Sequence, residues 1–277
     1  MKAIIRVLLA VLMTSGLAAG CGDDGDGGTG TLAIDIADAK PALPEDVRSV
    51  YVTFSEVSVH RSGGGWVSLP LPATPYPPID LLQFCDGVST QFVPPVELKA
   101  GRYTQLRMLI TAASMVAPGQ DPIPLEVPSD FVRTDKNFEV AGGAAVDLTV
   151  HFDLSQSIVD KGNGTYSLKP VLHLQETQAA ARIQGSIDQA SFGLSGTATV
   201  VVYSQETEYT RIVVTKAETL EPTPFAIYWL VPNQVYQVEV VSDGFQAYQE
   251  EVAAEAVEPG ETFTLNAGAA IVLVPIL

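Results

Sequence analysis

Apolar and polar residues alternate along most of the chain, which is the pattern of β-strands that bury one face. Between Val146 and Phe152 every second residue is apolar, and the residues between them are polar. The stretch that starts at Val50 alternates in the same way, but its apolar phase shifts by one residue between Phe54 and Val57. A β-bulge produces such a shift. We therefore predict many strands, with a bulge in the strand that contains Phe54.

Glycine-rich turns separate these short strands, and helical spacing is almost absent. Gly142-Gly143 and Lys161-Gly-Asn-Gly164 are two such turns. Many short strands at fairly even spacing are typical of antiparallel β-sandwiches. We predict an all-β chain with two antiparallel β-sandwich domains of the immunoglobulin or transthyretin type.

A boundary between the two domains is indicated at residues 175–181. The sequence there, Gln-Glu-Thr-Gln-Ala-Ala-Ala, is polar and small and lacks alternation, and a new strand pattern begins at Ile183. We predict a first domain over residues 31–176 and a second over residues 182–277. The second segment, of about 95 residues, fits one small β-sandwich.

The first twenty residues have the order of a secretory signal peptide. Lys2 and Arg6 precede an apolar run at residues 7–13, and small residues follow it. That run is too short for a membrane-spanning helix, which needs about 20 apolar residues. Leu17-Ala-Ala-Gly-Cys21 resembles a bacterial lipobox, which implies that Cys21 receives a lipid. We predict a lipoprotein signal peptide over residues 1–20; the alternative is an ordinary cleaved signal with an incidental cysteine.

A tract rich in Gly and Asp follows at residues 21–30. Such a tract buries nothing and behaves as a flexible tether, which suits a domain held at a lipid surface. Two or more acyl chains make that anchoring stable. Gly22, with no Asp in its place, resembles lipoproteins that are exported to the outer membrane. We expect a cell-envelope location on the periplasmic or the surface face of the outer membrane.

The amino-acid composition limits the classes of partner that the chain is expected to bind. The 277 residues include 15 Lys and Arg against 32 Asp and Glu, so the formal net charge is −17. This acidity argues against nucleic acid, because phosphate binding needs clustered Lys and Arg. A hydrophobic content of 47% excludes general disorder. If Cys21 is lipidated, Cys85 has no disulfide partner, and its apolar context predicts a buried thiol rather than a reactive one.

The sequence contains few candidate catalytic or metal-binding residues. No spacing of nucleophile, base and oxyanion donor indicates catalysis. His151 and His173 lie on the outward phase of their strands, so we expect them to be exposed; a metal site would require neighbouring strands to bring them together. Asp35 with Asp38 is a calcium candidate, although a turn-capping role explains Asp38 equally well. We predict no metal and no cofactor.

Two aromatic residues are the candidates for ligand contact. Trp66 follows three glycines at the start of a strand, and Tyr76 lies in the Pro-rich segment 69–78. We expect that segment to be an extended, exposed loop. Trp66 and Tyr76 would then form one aromatic cluster able to stack on a glycan or a peptide. Simple packing is the alternative.

Two further residues have predicted structural partners. Tyr103 follows Gly101 at a turn into a strand, and we expect its hydroxyl to bond to a backbone group near that turn, as corner tyrosines do. Arg107, on the polar phase of its strand, is expected to pair with Asp147 or Asp153.

Nine ordered segments of the first domain resemble a family of uncharacterised bacterial lipoprotein domains, the domain of unknown function 4382 (DUF4382). The resemblance runs over residues 30–174 and includes Leu-Lys-Ala-Gly-Arg-Tyr-Thr-Gln-Leu-Arg at residues 98–107. It implies a β-sandwich on a lipid anchor and no established reaction. The segments are residues 30–39, 50–60, 65–66, 79–82, 98–107, 127–129, 138–143, 152–157 and 166–171.

The second domain resembles the transthyretin-like regulatory sandwich that is attached to carboxypeptidases and to many bacterial surface proteins. Members usually have Gly at the place of Asn233, and Asn is the next residue most tolerant of a left-handed conformation. This resemblance implies a spacer or a binding platform. The segments are residues 225–227, 230–233, 236–240, 244–245 and 258–262.

Together these features predict a non-enzymatic, membrane-anchored exported lipoprotein that serves as a binding or structural module at the surface or in the periplasm. Its expected partners are the membrane, through the lipid anchor, and an unknown protein or glycan. The alternative is a glycan-active enzyme that uses loop carboxylates of the first domain. Such an enzyme would need two carboxyl groups about 5 to 10 Å apart in a cleft.

Overall fold

The computed structural model describes residues 27–38, 41, 43, 47–73, 76–128, 131–134 and 136–276. The predicted signal peptide, the lipidation site Cys21 and residues 22–26 of the predicted tether lie outside the described residues. The described chain is nearly all β-structure, which confirms the predicted fold class. Over the same residues, no helix has both the length and the apolar character that crossing a membrane requires.

The first thirteen strands of the described residues make two sheets, and a four-residue helix α1 (Leu154–Ser157) lies between two of them. The strands are β1 (Thr29–Asp38), β2 (Ser49–Arg61), β3 (Trp66–Leu69), β4 (Ile79–Asp80), β5 (Ser89–Lys99), β6 (Gly101–Val116), β7 (Ile123–Glu126), β8 (Phe131–Thr134), β9 (Phe138–Val140), β10 (Ala145–Phe152), β11 (Ile158–Asp160), β12 (Tyr166–Leu168) and β13 (Leu172–Glu176). Sheet I has the order β13-β10-β1-β5. Sheet II runs β11-β12-β7-β6-β2-β3, with β4 beside β2 and with β8 and β9 beside β6.

Sheets I and II enclose one hydrophobic core and form what we call the first sandwich. Ile34 and Val150 of sheet I and Phe54 of sheet II belong to this core and are 0% exposed. Burying a side chain of this size contributes about 1.5–3 kcal/mol to folding. These apolar residues of the alternating strands therefore face the core, as predicted.

The bulge predicted in the strand that contains Phe54 is confirmed. The register of β2 on β6 shifts on both sides of Phe54. Val52 before the shift and Val57 after it are both fully buried. The irregularity thus keeps the apolar residues of one long strand on the inward face, although their sequence phase changes.

The remaining strands form the second sandwich, in which sheets III and IV enclose a separate core. They are β14 (Ala181–Ile187), β15 (Thr197–Ser204), β16 (Thr207–Thr215), β17 (Thr223–Leu230), β18 (Tyr236–Val241), β19 (Tyr248–Val252) and β20 (Thr262–Thr264). Sheet III has the order β17-β14-β20 and sheet IV the order β16-β15-β18-β19. Val200 and Val238 of sheet IV and Ile183 of sheet III belong to this core and are 0% exposed.

Most neighbouring strands are antiparallel, as predicted, but three described pairs are parallel. These are β1 with β10, β7 with β12, and β14 with β20. In sheets I and III the first strand of the sandwich lies between an antiparallel partner and a parallel partner that comes later in the chain. The alternation of apolar and polar residues shows which side chains face the core. It does not show whether the neighbouring strand runs parallel or antiparallel.

A corner tyrosine is present in each sandwich. The Tyr103 hydroxyl donates to the Lys99 carbonyl at 2.9 Å, which confirms the predicted bond to the turn. Its ring stacks on Phe138 at a centroid distance of 5.2 Å. In the second sandwich, the Tyr236 hydroxyl donates to the Val231 carbonyl at 2.9 Å.

The second sandwich packs on the outer face of sheet I, and a bulge in β17 shapes this contact. Ala181 pairs with Leu230 and Ile183 pairs with Ile227, so the two residues between Ile227 and Leu230 lie opposite a single residue of β14. One of those two residues, Trp229, has a φ of 62°, in the left-handed region that bulky side chains rarely adopt.

The other bulge residue, Tyr228, lies against Gly87 of the first sandwich. A Cβ atom at residue 87 would lie 2.5 Å from the Tyr228 ring, and the φ of Gly87 is +81°. Only glycine meets both conditions, because it has no Cβ and adopts positive φ without penalty. Gly87 is therefore a requirement of the contact between the two sandwiches, which we call the junction.

We expect Tyr103→Phe to lower the free energy of unfolding by about 1–3 kcal/mol, because it removes the bond to the Lys99 carbonyl and keeps the stack on Phe138. Urea unfolding followed by circular dichroism measures the change. Tyr236→Phe removes the equivalent bond from the second sandwich and should have an effect of similar size. An unchanged urea midpoint for both variants would show that the corner bonds contribute nothing net.

We expect Gly87→Ala to loosen the junction. Gly63→Ala is the matched control, because Gly63 has a φ of +70° with nothing near its Cβ position. Both variants should lose about 1–2 kcal/mol from the left-handed backbone, but only Gly87→Ala must also displace Tyr228. Small-angle X-ray scattering should therefore give a larger radius of gyration for Gly87→Ala alone. Equal radii for the two variants would contradict the role of Gly87.

Candidate functional site

Two histidines meet on the outer face of sheet I. His151 in β10 and His173 in β13 are directly opposed across an antiparallel pair. Their ring centroids are 5.7 Å apart, with 36° between the planes. The second sandwich covers this face, and His151 is 1% exposed. The expectation that both histidines are exposed is therefore wrong for His151, and His173 is only partly accessible.

The reason for this error is physical. The strand phase was correct, since both side chains point away from the core of the first sandwich. A side chain that points away from its own core is exposed, however, only where no other part of the protein packs on that face. Here the second sandwich packs on it.

His173 binds the second sandwich directly. Its ring stacks on the Tyr209 ring at a centroid distance of 4.1 Å. Its Nε2 lies 3.1 Å from the Tyr209 carbonyl oxygen. A carbonyl only accepts hydrogen bonds, so Nε2 of His173 carries the proton and Nδ1 is the unprotonated nitrogen of the neutral ring. The same carbonyl accepts a second bond from Gln156 Nε2 at 2.7 Å.

His151 is enclosed and has no polar partner. Neither Nδ1 nor Nε2 has a hydrogen-bond partner among the described residues, and the same holds for Nε1 of Trp229. Both side chains line a cavity of about 10 Å³, together with Asp38 and Asp86. A volume of this size holds about one water molecule.

Burial governs the protonation of this pair. It lowers the pKa of His151 to about 4, against an opposing attraction from Asp153 and with a further repulsion from His173. Burial also lowers the pKa of His173, opposed by Asp153 and by the bond to Tyr209 and assisted by Lys136. Asp153 is itself 0% exposed. Both histidines are neutral at pH 7.

The carboxylates near the pair have structural partners. Asp153 caps α1, accepting from the Gln156 amide N–H and from the Gln156 side chain. Asp38 accepts from the Leu154 N–H at 3.1 Å, and the Cys85 thiol lies 3.8 Å from it. Cys85 is half-buried rather than buried as predicted.

Metal ligands do not converge in the part of the chain that the structure describes. No group of three or more His, Cys, Asp or Glu side chains there is placed to hold a metal ion. Asp35 and Asp38 differ by three positions in β1 and so point to opposite faces of the strand. Asp35 instead accepts from the Ser89 hydroxyl at 2.8 Å.

The outer face of sheet II carries a different arrangement, which we call the outer-face stack: Trp66, Arg107 and Phe131. The Arg107 guanidinium lies 4.1 Å from the Trp66 ring centroid and 4.7 Å from that of Phe131. It also donates to Glu56 at 3.2 Å and to Ser58 at 2.8 Å. All three side chains of the stack are partly exposed.

The predicted pairing of Arg107 with Asp147 or Asp153 is wrong. Arg107 lies on β6 of sheet II, where β2 is its neighbour and supplies Glu56. Asp147 belongs to β10, in the opposite sheet. The sequence pattern predicts on which face of its strand each side chain lies. The order of the strands in the sheets determines which carboxylate lies close enough to pair with Arg107.

Trp66 and Tyr76 do not lie together. Trp66 pairs with His60 near one end of β2, whereas Ile79, three residues after Tyr76, pairs with Val52. Eight residues of strand separate those two points on β2, about 26 Å. The Tyr76 ring instead packs edge-on against a core ring, that of Phe92, at 5.4 Å. Trp66 thus belongs to the outer-face stack, and Tyr76 lines the edge of the core.

Sequence reasoning missed the partners that complete both arrangements. Tyr209 lies where the register of β16 on β15 shifts, and its ring also contacts the buried Tyr236, so alternation does not predict its contacts. Phe131 lies on the outward phase of β8, and an outward aromatic indicates a face that something else covers or contacts. That signal was available in the sequence. The left-handed backbone of Trp229 was not, because no turn residue marks it.

The family comparison matches the first sandwich. The model of the Domain of unknown function (DUF4382) matches residues 29–170. No curated protein matches the chain. Among solved structures, the Bacillus anthracis TIE protein is similar at 10% identity and a TM-score of 0.23, over 88% of this chain and 34% of that one. The chain therefore spans about a third of that protein's length.

The fimbrial anchor protein Mfa2 from Porphyromonas gingivalis is similar at 10% identity and a TM-score of 0.21, over 75% of this chain and 77% of that one. Likeness at such TM-scores has no bearing on function. The family match extends over more than half of the chain and includes every strand of sheets I and II except β13. The chain belongs to the DUF4382 family.

Proposed function

We propose that this chain is a non-enzymatic, lipid-anchored protein of the bacterial cell envelope whose first sandwich binds a ligand through the outer-face stack. The observation that carries the proposal is the Arg107 guanidinium held between the rings of Trp66 and Phe131 on an open sheet face. The ligand class is a protein or a glycan, and a protein is favoured for the reasons that follow.

The composition of the stack supports a protein partner. Trp and Arg are the residue types most enriched among the few that dominate binding energy at protein interfaces. Arg107 is already fixed by Glu56 and Ser58, so binding would cost little side-chain entropy. β3, which carries Trp66, is also the edge strand of sheet II.

The N-terminal sequence supports the location. The lipobox-like Leu17-Ala-Ala-Gly-Cys21 precedes a Gly- and Asp-rich tract, the arrangement expected of a domain tethered to a lipid surface. We place the protein at the outer membrane, on its periplasmic or surface face.

We propose further that the second sandwich is transthyretin-like and serves as a platform for the first. Asn233 has a φ of 57°, the left-handed conformation expected where that family usually has Gly. The opposed packing of sheets III and IV over one core is compatible with such a module.

We expect Cys21→Ser to abolish lipid labelling in cells and to move the protein from membrane to soluble fractions. Cys85→Ser is the matched control, because it removes the other of the two cysteines and leaves the lipobox intact. It should keep both the label and the membrane association. Continued membrane retention of Cys21→Ser would show that the anchor assignment is wrong.

We expect Trp66→Ala to weaken ligand binding about tenfold or more, a loss typical of a central interface aromatic. The immobilised full chain is exposed to envelope proteins and to a glycan array, and the captured ligand is then titrated. Tyr51→Ala is the matched control, since Tyr51 is an exposed aromatic, 36% accessible, in the same strand β2 that pairs with β3.

The outcomes of this titration separate the hypotheses. Loss with Trp66→Ala but not with Tyr51→Ala supports the stack as the site, and the captured class shows whether protein or glycan binds. Equal binding by the parent and Trp66→Ala would reject the stack. The glycan-active enzyme stays a prediction, which turnover of a polysaccharide, lost on mutating one carboxylate, would favour over binding.

A further inference from the structure

The junction between the two sandwiches buries polar groups that it leaves without partners. Both ring nitrogens of His151, both amide atoms of Gln175 and Nε1 of Trp229 are enclosed, and none has a hydrogen-bond partner in the described part of the chain. Gln175 lies beside Val231 of the second sandwich in a cavity of about 220 Å³ at the junction rim. Each such group gains bonds to water when the sandwiches separate, so it opposes docking.

Favourable contacts offset this cost. Tyr209 stacks on His173 and accepts hydrogen bonds from both His173 and Gln156. Tyr228 of the second sandwich lies on Gly87 of the first. Interfaces of this kind, partly polar and between domains of one chain, resemble transient protein interfaces and open more readily than hydrophobic cores.

We infer that acid opens this junction reversibly, with His151 and His173 as its proton-sensitive pair. Protonation places a positive charge on His151, which the second sandwich encloses, or on His173, which it partly covers. Separation of the sandwiches returns both rings to solvent, where the charge is hydrated.

The groups that face the pair do not cancel this effect. Asp153 attracts a positive charge on either histidine, and Asp38 and Asp86 line the cavity beside His151. Lys136 repels a charge on His173. From the second sandwich come Tyr209, whose carbonyl favours protonated His173, and Arg211, which lies close enough to interact with Asp153. Burial outweighs the attractive contacts, so the pKa of both rings falls in the docked state.

The direction of the pH dependence follows from this shift. Docking holds His151 at a pKa of about 4, below its ordinary value of 6.5. Above pH 6.5 both states are neutral and docking is fully favoured. Between pH 6.5 and 4 the open state binds the proton first, so the docking equilibrium constant falls about tenfold per pH unit for this group. Below pH 4 the loss is complete, and His173 adds to it in the same sense.

The test uses the full chain with Trp66→Phe. Because the chain has two tryptophans, this background leaves Trp229, at the junction, as the fluorescent reporter. Between pH 7.5 and 4.5 we expect a red shift of Trp229 emission and an increase in the radius of gyration by X-ray scattering. Far-UV circular dichroism should keep its β-sheet spectrum, and return to pH 7.5 should reverse both changes.

Two variants in the same background assign the effect. His151→Leu with His173→Gln removes both titrating rings, while Gln at residue 173 can still donate to Tyr209. This variant should stay closed at pH 4.5. His60→Gln is the matched control, because it removes the third histidine, which lies beside the outer-face stack, and it should open as the parent does.

The inference is overturned if the parent keeps its radius of gyration at pH 4.5, or if it loses sheet structure with the same midpoint. Acid opening of the double variant to the same extent would also reject it, since carboxylates titrate alike in both chains. If the double variant does not fold at pH 7.5, His173→Gln alone is compared with His60→Gln. A midpoint equal in these two would again be decisive against the pair.

Discussion

The cover that the second sandwich provides for sheet I is the constraint on which the chemistry of this protein depends. A two-sheet domain ordinarily leaves its outer faces wet, and polar residues there need no protein partner. Here residues 148–152 of β10 are buried on both faces, so Thr149 and His151 are enclosed as completely as Val150. Thr149 is satisfied by the Thr177 hydroxyl at 2.9 Å. His151 has no such partner, and its low pKa is a direct result.

The contact between the second sandwich and the outer face of sheet I requires strained backbone geometry. The bulge in β17 gives Trp229 a left-handed backbone and brings Tyr228 over Gly87. Strained positions of this kind persist only where surrounding contacts fix them. The same junction encloses polar groups that have no hydrogen-bond partner among the described residues. Such groups oppose docking, so a change in protonation at the junction is able to shift the docking equilibrium.

The sequence predicts the cores of both sandwiches better than their surfaces. Alternation identifies the inward residues, the shift after Phe54 identifies a bulge, and the position of Tyr103 identifies a corner bond, because each of these depends on local backbone geometry. The surroundings of His151 and Arg107 depend instead on which strand or domain comes to lie beside them. Phase alone carries no information on strand order, strand direction or a covering domain. The predicted N-terminal anchor rests on a sequence pattern alone, because residues 1–26 lie outside the described residues.

The two outer faces of the first sandwich have opposite exposures, and this separates their roles. The second sandwich covers the part of sheet I that carries His151 and His173, whereas the outer-face stack on sheet II keeps Trp66, Arg107 and Phe131 partly open to solvent. Packed sheets lie about 10 Å apart, with a core of fixed side chains between them. Opening of the junction therefore exposes the histidine-bearing outer face of sheet I and leaves the outer-face stack on sheet II intact. Acid would add a surface to the protein while the stack retains its geometry, because Glu56 and Ser58, which hold Arg107, belong to sheet II and not to the second sandwich.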